Sequence, residues 1–166
     1  MPIETLAATP GVGWTTTVGA SRAVAVALPD DGDTSYLEGT GLQVTTSAIA
    51  NTAIAGATIT NVRVVARLRT TTISDTCIIA ASDNSFSNTT SYSPTVTSSY
   101  VDYTMDMATP PSGGAWTTGK VDSLEVRVTT PDITTARMTT LYVQVTYMQA
   151  TVSRAASMIF GTSDLL

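Results

Sequence analysis

Between Val62 and Arg69 the chain alternates apolar and basic side chains, and this alternation constrains the fold more than any other feature. Val62, Val64, Ala66 and Leu68 fall on one side of an extended backbone, and Arg63, Arg67 and Arg69 fall on the other. Successive strand side chains point to opposite faces, so the pattern describes a strand with one buried and one solvated face. The same period returns at Leu124-Glu125-Val126-Arg127-Val128 and at Leu141-Tyr142-Val143-Gln144-Val145-Thr146-Tyr147. No stretch keeps a 3.6-residue period over three turns. The chain is therefore read as antiparallel β. Asp102 and Asp106, outward in the alternating segment 99–107, are the expected cross-strand partners of the arginines.

A length of 166 residues fits one domain that can bury a core without a disulfide or metal. Turn signals at Pro29-Asp30-Asp31-Gly32-Asp33, at Gly39 and Gly41, and at 50–57, Ser82–Asn88, Thr109–Trp116 and Pro131-Asp132 separate about eight strands. The expected strands include 22–28, 34–38, 42–49, 58–70, 76–81, 99–107, 121–129 and 137–149. This spacing predicts an all-β fold: an antiparallel two-sheet sandwich, jelly-roll-like, with extended arms. The division is an N-terminal arm at 1–13, a sandwich domain at 14–149 that Trp14 joins to the core, and a C-terminal arm at 150–166. Threonine fills about one position in five, which suits pleated, half-exposed surfaces.

Composition removes several functions. The net charge is −5 and 13% of residues are charged, a poor match to direct nucleic-acid binding, which needs a basic face. The chain contains no histidine, so Ser-His-Asp and Cys-His catalysis and histidine-ligated metal are excluded. Cys77, the single cysteine, lies in an apolar run and reads as a small buried hydrophobe. Glu4, Glu38 and Glu125 are the only glutamates, and nothing in their spacing pairs them as a glycosidase would require. A non-enzymatic protein is expected. No signal peptide is read at the first residues and no apolar run is long enough to span a membrane.

Three groups remain as candidate sites. Asp30, Asp31 and Asp33 place three carboxylates within four positions and form either a structural calcium loop or a solvated acidic turn. The loop departs from the EF-hand pattern, with Tyr36 and Leu42 where a glycine and a bidentate glutamate belong. Trp116, Tyr92 and Tyr100, with Phe86, are candidate glycan platforms if exposed. Met158, Ile159, Phe160, Leu165 and Leu166 form an apolar terminal group whose burial is worth roughly 1.5–3 kcal/mol per side chain. Either they fold back onto their own domain or they dock on another subunit, and docking makes them the expected partner-binding residues.

Several segments, in order, resemble a group of tailed-bacteriophage virion structural proteins of jelly-roll type. They are Trp14, Asp30-Asp31-Gly32-Asp33-Thr34-Ser35-Tyr36-Leu37-Glu38, Ile59–Arg69, Pro111-Ser112-Gly113-Gly114-Ala115-Trp116-Thr117, Val121–Val128 and Arg137–Tyr147. The resemblance spans about 14–148 and implies a head-decoration or tail-associated role. The leading expectation is a capsid decoration or cement protein in the virion, assembled in the host cytoplasm. It would bind the major capsid protein or other virion proteins, associate as a homo-oligomer such as a trimer, and contact neither nucleic acid nor membrane. The alternative is a tail or fibre component that binds host cell-surface glycan.

Overall fold

The computed structural model describes residues 1–14, 16–19, 21–27 and 34–150. The elements are β1 (Ile3–Pro10), β2 (Thr16–Val18), α1 (Arg22–Ala25), β3 (Tyr36–Thr40), β4 (Val44–Ile49), β5 (Ala57–Thr70), β6 (Asp75–Thr76) and β7 (Ile78–Ser82). They continue with β8 (Thr90–Tyr92), β9 (Thr95–Val96), β10 (Val101–Met107), α2 (Thr118–Asp122), β11 (Glu125–Thr129) and β12 (Thr135–Gln149). The chain is all-β, and every strand pairing among the described residues is antiparallel.

One side of the molecule has the order β10-β5-β12-β1 and the other β4-β11-β7-β8. The two expected sheets are joined, because β1 changes partner along its length. Ile3–Ala7 pair with Tyr142–Thr146 of β12, and Ala8–Pro10 pair with Ser47–Ile49 of β4. At the far ends β10 and β8 come together, so the sheet nearly closes into a barrel-like shape. Beside β1, β3 pairs with Thr135–Met138 of β12 and carries β2 outside it.

The alternation at 62–69 folds as its chemistry requires. Val62, Val64, Ala66 and Leu68 are fully buried and meet Leu141, Val143, Val126, Val128 and Ile79 in one core cluster. Trp14 is also fully buried, and its indole Nε1–H donates to the Val128 carbonyl at 3.1 Å. Gly39 makes room for it: a Cβ there would lie 2.9 Å from Trp14 Cγ and 2.8 Å from Thr130 Cγ2. The core also contains threonine and serine at strand positions, and the hydroxyls of Thr45, Ser47, Thr70 and Thr140 have no hydrogen-bond partner among the described residues.

Three expectations change. Residues 1–13, expected as an extended arm outside the domain, contain β1, which occupies the middle of the sheet with Leu6, Ala8 and Pro10 buried in alternation. The small, polar residues between them hid that strand. Within 22–28, expected to be extended, Arg22–Ala25 form a helical turn in which the Ala25 N–H donates to the Ser21 carbonyl at 2.9 Å. Alanine favours helix over strand, and Ala25 and Val26 are buried by that turn. The expected strand at 121–129 begins later, because α2 precedes it, N-capped by the Thr117 side chain, which accepts from the Lys120 N–H at 3.2 Å. The terminal segment 151–166 lies outside the described residues.

Candidate functional site

The outward side chains of β3, β12, β5 and β10 form a continuous polar face. Strand register sets its rows. Asp106 stands opposite Arg63, Asp102 opposite Arg67, Arg69 opposite Arg137, and Arg137 opposite Glu38. Directly opposed side chains on one face are close enough to interact, so register alone brings Arg63, Arg67 and Arg137 beside carboxylates.

Arg63 grips Asp106 with two bonds, Nε to Oδ1 at 2.8 Å and an Nη to Oδ2 at 3.0 Å, and the Asn61 amide donates to Oδ1 at 2.7 Å. The hydrogen bond from Arg63 holds the Asp106 carboxyl below the usual carboxylate range. Arg67 donates to Asp102 at 3.3 Å. Arg137 Nε donates to Glu38 Oε2 at 2.6 Å in a pair whose side chains are only 25% and 23% exposed. The arginines expected to pair with Asp102 and Asp106 do so.

Tyrosines lie among the guanidiniums. The guanidinium carbons of Arg67 and Arg69 stand 5.8 and 5.0 Å from the Tyr100 ring centre. That of Arg137 is 4.3 Å from the centre of Tyr36. Cation–π contact of this kind holds both groups in fixed orientation. Burial raises the pKa of the Tyr142 hydroxyl, with the Asp102 charge adding to the effect. Val65, the apolar residue at the centre of the face, is 3% exposed.

The other candidates are dispersed. Trp116 is 6% exposed, and its Nε1–H donates to the Met107 carbonyl at 2.9 Å, so it seals the core and offers no platform. Tyr92 is 40% exposed on β8, at the edge of the opposite side. Only Tyr100 of the three expected glycan residues belongs to the polar face. Phe86 stacks elsewhere, its ring centre 3.5 Å from the guanidinium carbon of Arg127 on β11. The turn that carries it places both Ser85 and Phe86 at positive φ, 55° and 62°, a left-handed conformation that side chains disfavour. A cleft of about 270 Å³ lies beside β1 and the 53–57 loop, lined by Ile3, Glu4, Ile54, Tyr147 and Gln149 among others. The Glu4 carboxylate there accepts from the Ala53 N–H at 2.8 Å and from the Thr52 hydroxyl, and so fixes the loop to β1.

Asp30, Asp31 and Asp33 lie outside the described residues, as do Met158, Ile159, Phe160, Leu165 and Leu166. Among the described residues no group of three or more acidic or cysteine side chains could hold a metal ion. Cys77 is fully buried, and its thiol is pushed up to about 12 by burial, with the Asp75 charge adding to the effect.

Sequence reasoning missed Tyr36 and Arg137 as members of the face. The signal was present in the alternation of Tyr36-Leu37-Glu38 and of Arg137-Met138. What was absent was the knowledge that β3 pairs with β12, a contact between residues a hundred positions apart.

No protein-family model matches the chain. No curated protein matches it either. A solved structure, the enzymatically active domain of bacteriophage CBA120 tailspike protein 4, superimposes with a TM-score of 0.46 at 9% identity, covering 87% of this chain and 19% of that one. A likeness at that level carries no functional argument.

Proposed function

We propose that this chain is a non-enzymatic structural module of a phage virion, a tail or fibre component that binds cell-surface glycan through the face formed by β3, β12, β5 and β10. The observation that carries the reading is the character of that face. It spans four strands and is lined by half-buried and exposed arginine, tyrosine, carboxylate and amide groups held by one another. The central valine is buried, so the face presents hydrogen-bonding and aromatic groups to a ligand and suits a hydroxyl-rich one. Copies arrayed on a virion would add avidity to weak individual contacts.

The phage context rests on the ordered sequence segments that resemble virion proteins. Strand order supports the jelly-roll part of that resemblance. Taking β1, β4, β5, β7, β8, β10, β11 and β12 as first to eighth, the neighbours run first-eighth-third-sixth and second-seventh-fourth-fifth. Two Greek keys rolled into a jelly roll produce this order. A second reading, capsid decoration by a homo-oligomer on the major capsid protein, is favoured by the apolar residues Met158 to Leu166.

The test is an array of bacterial surface polysaccharides probed with the full chain, alongside co-sedimentation with phage heads. Selective, saturable binding to a subset of polysaccharides is expected. Absence of glycan binding together with tight binding to heads would replace this reading with decoration.

A further inference from the structure

On the polar face one pairing breaks the rule of opposite charges. Arg69 and Arg137 stand directly across from each other in the β5–β12 register. Like charges so placed repel and destabilise a strand pair. Arg137 has Glu38 as a partner, through its Nε. Among the described residues Arg69 has no carboxylate partner and its buried Nε–H has no hydrogen-bond acceptor. A buried donor without an acceptor carries a desolvation cost that a bound acceptor would relieve. Arg67 adjoins the same Tyr100 ring and pairs with Asp102. Arg67 and Arg137 therefore each have a carboxylate, Asp102 and Glu38, while Arg69 has none among the described residues of a chain whose net charge is −5.

We infer that Arg69 and Arg137 form an oxyanion site, and that the glycan recognised by this face is acidic, its carboxylate or phosphodiester seated between the two guanidiniums beside Tyr100. The inference rests on the glycan-binding reading and specifies its ligand. Arginine suits the task because its planar fork matches carboxylate and phosphate oxygens with paired hydrogen bonds, where lysine offers only a point charge. Tyr100 and Tyr36 hold the forks by stacking, so less side-chain freedom is lost when the anion arrives. Arg127 is not equivalent: its Nε–H donates to the Thr46 hydroxyl at 3.2 Å and Phe86 covers its guanidinium.

The experiment follows arginine Nε–H signals of the full chain by NMR during titration with inorganic phosphate and with glucuronate. Arg69 and Arg137 should shift saturably while Arg127 stays in place. Acidic and neutral polysaccharides are then compared on the wild type, Arg69→Gln and Arg69→Lys, with thermal melts verifying the fold of each variant. The acidic polymer should bind Arg69→Gln about tenfold or more weakly than wild type, with Arg69→Lys between them. Acidic polysaccharide that binds Arg69→Gln as tightly as wild type would overturn this site and leave the glycan reading standing. Failure of every polysaccharide to bind the wild type would overturn the glycan reading and this inference with it. Loss of an acidic peptide, and not of polysaccharide, in Arg69→Gln would assign the site to a protein partner and overturn the inference.

Discussion

Replacing Gly39 with alanine tests whether the packing around Trp14 is as close as the geometry requires. The added methyl would stand 2.8 Å from Thr130 Cγ2, 2.9 Å from Trp14 Cγ and 3.1 Å from Gln43 Oε1. Trp14 and Thr130 cannot retreat freely. Trp14 is fully buried and tied to the Val128 carbonyl, and Thr130 Oγ1 accepts from the Gln43 N–H at 2.8 Å. In an open position the same substitution would stabilise by about 0.4–1 kcal/mol, through the unfolded chain. Overpacking costs about 1–3 kcal/mol, so the clash decides the sign. For a domain of this size that loss lowers Tm by about 2–4 °C per kcal/mol. Urea unfolding followed by circular dichroism, at unchanged m-value, gives the free energy directly. Thr130→Ser removes the obstructing Cγ2 and keeps the accepting hydroxyl, so it should recover part of the loss in the Gly39→Ala background. The coupling between the two should be about 0.5 kcal/mol or more. A neutral or stabilising Gly39→Ala, or strictly additive variants, would refute the reasoning.

Cys77, buried with its thiol pushed up to about 12, should resist maleimide at pH 8 in the native protein and react at once in urea; fast native labelling would contradict its placement. Asp106→Asn should cost about 0.2–1 kcal/mol at neutral pH, the range for a half-exposed ion pair. Because the folded Asp106 pKa is lowered, its contribution is present above the unfolded value and is lost as pH falls through the folded one. The difference between wild type and variant should therefore vanish in acid and shrink in high salt; a constant difference across pH would refute the assignment. Trp116→Phe should destabilise by about 1–3 kcal/mol, because the Met107 carbonyl loses its buried donor, and should leave any glycan binding unchanged. Selective loss of glycan binding would restore Trp116 as a platform.

The alternation at 62–69 made strand β5 legible, and with it the buried valines and outward arginines, because a strand's period of two is a local property. The partners of Arg63 and Arg67 were legible for the same reason: β10 alternates aspartates at the matching spacing. The bridging role of β1 was not. Its inward residues, Leu6, Ala8 and Pro10, are separated by threonine and alanine, and only the two strands it joins give that modest pattern its place in the core. Arg22–Ala25 misled because alternating alanine and valine satisfy a weak strand pattern and a helical turn equally well. The face itself needed tertiary knowledge, since Tyr36, Arg137, Arg69 and Tyr100 come from four distant segments. Tryptophan pulled the glycan expectation toward Trp116, whose single N–H found its acceptor inside the core.

The central claim is that the face of β3, β12, β5 and β10 is where this protein meets its ligand. Arginine-specific footprinting of the wild-type full chain tests it without any substitution. The protein is modified with a dicarbonyl reagent, with and without a polysaccharide it binds, and the modification of each arginine is read by mass spectrometry. Protection of Arg69 and Arg137 is expected while Arg127, stacked under Phe86 on the opposite side, keeps its reactivity. Protection of Arg127 with Arg69 and Arg137 unchanged would contradict the claim.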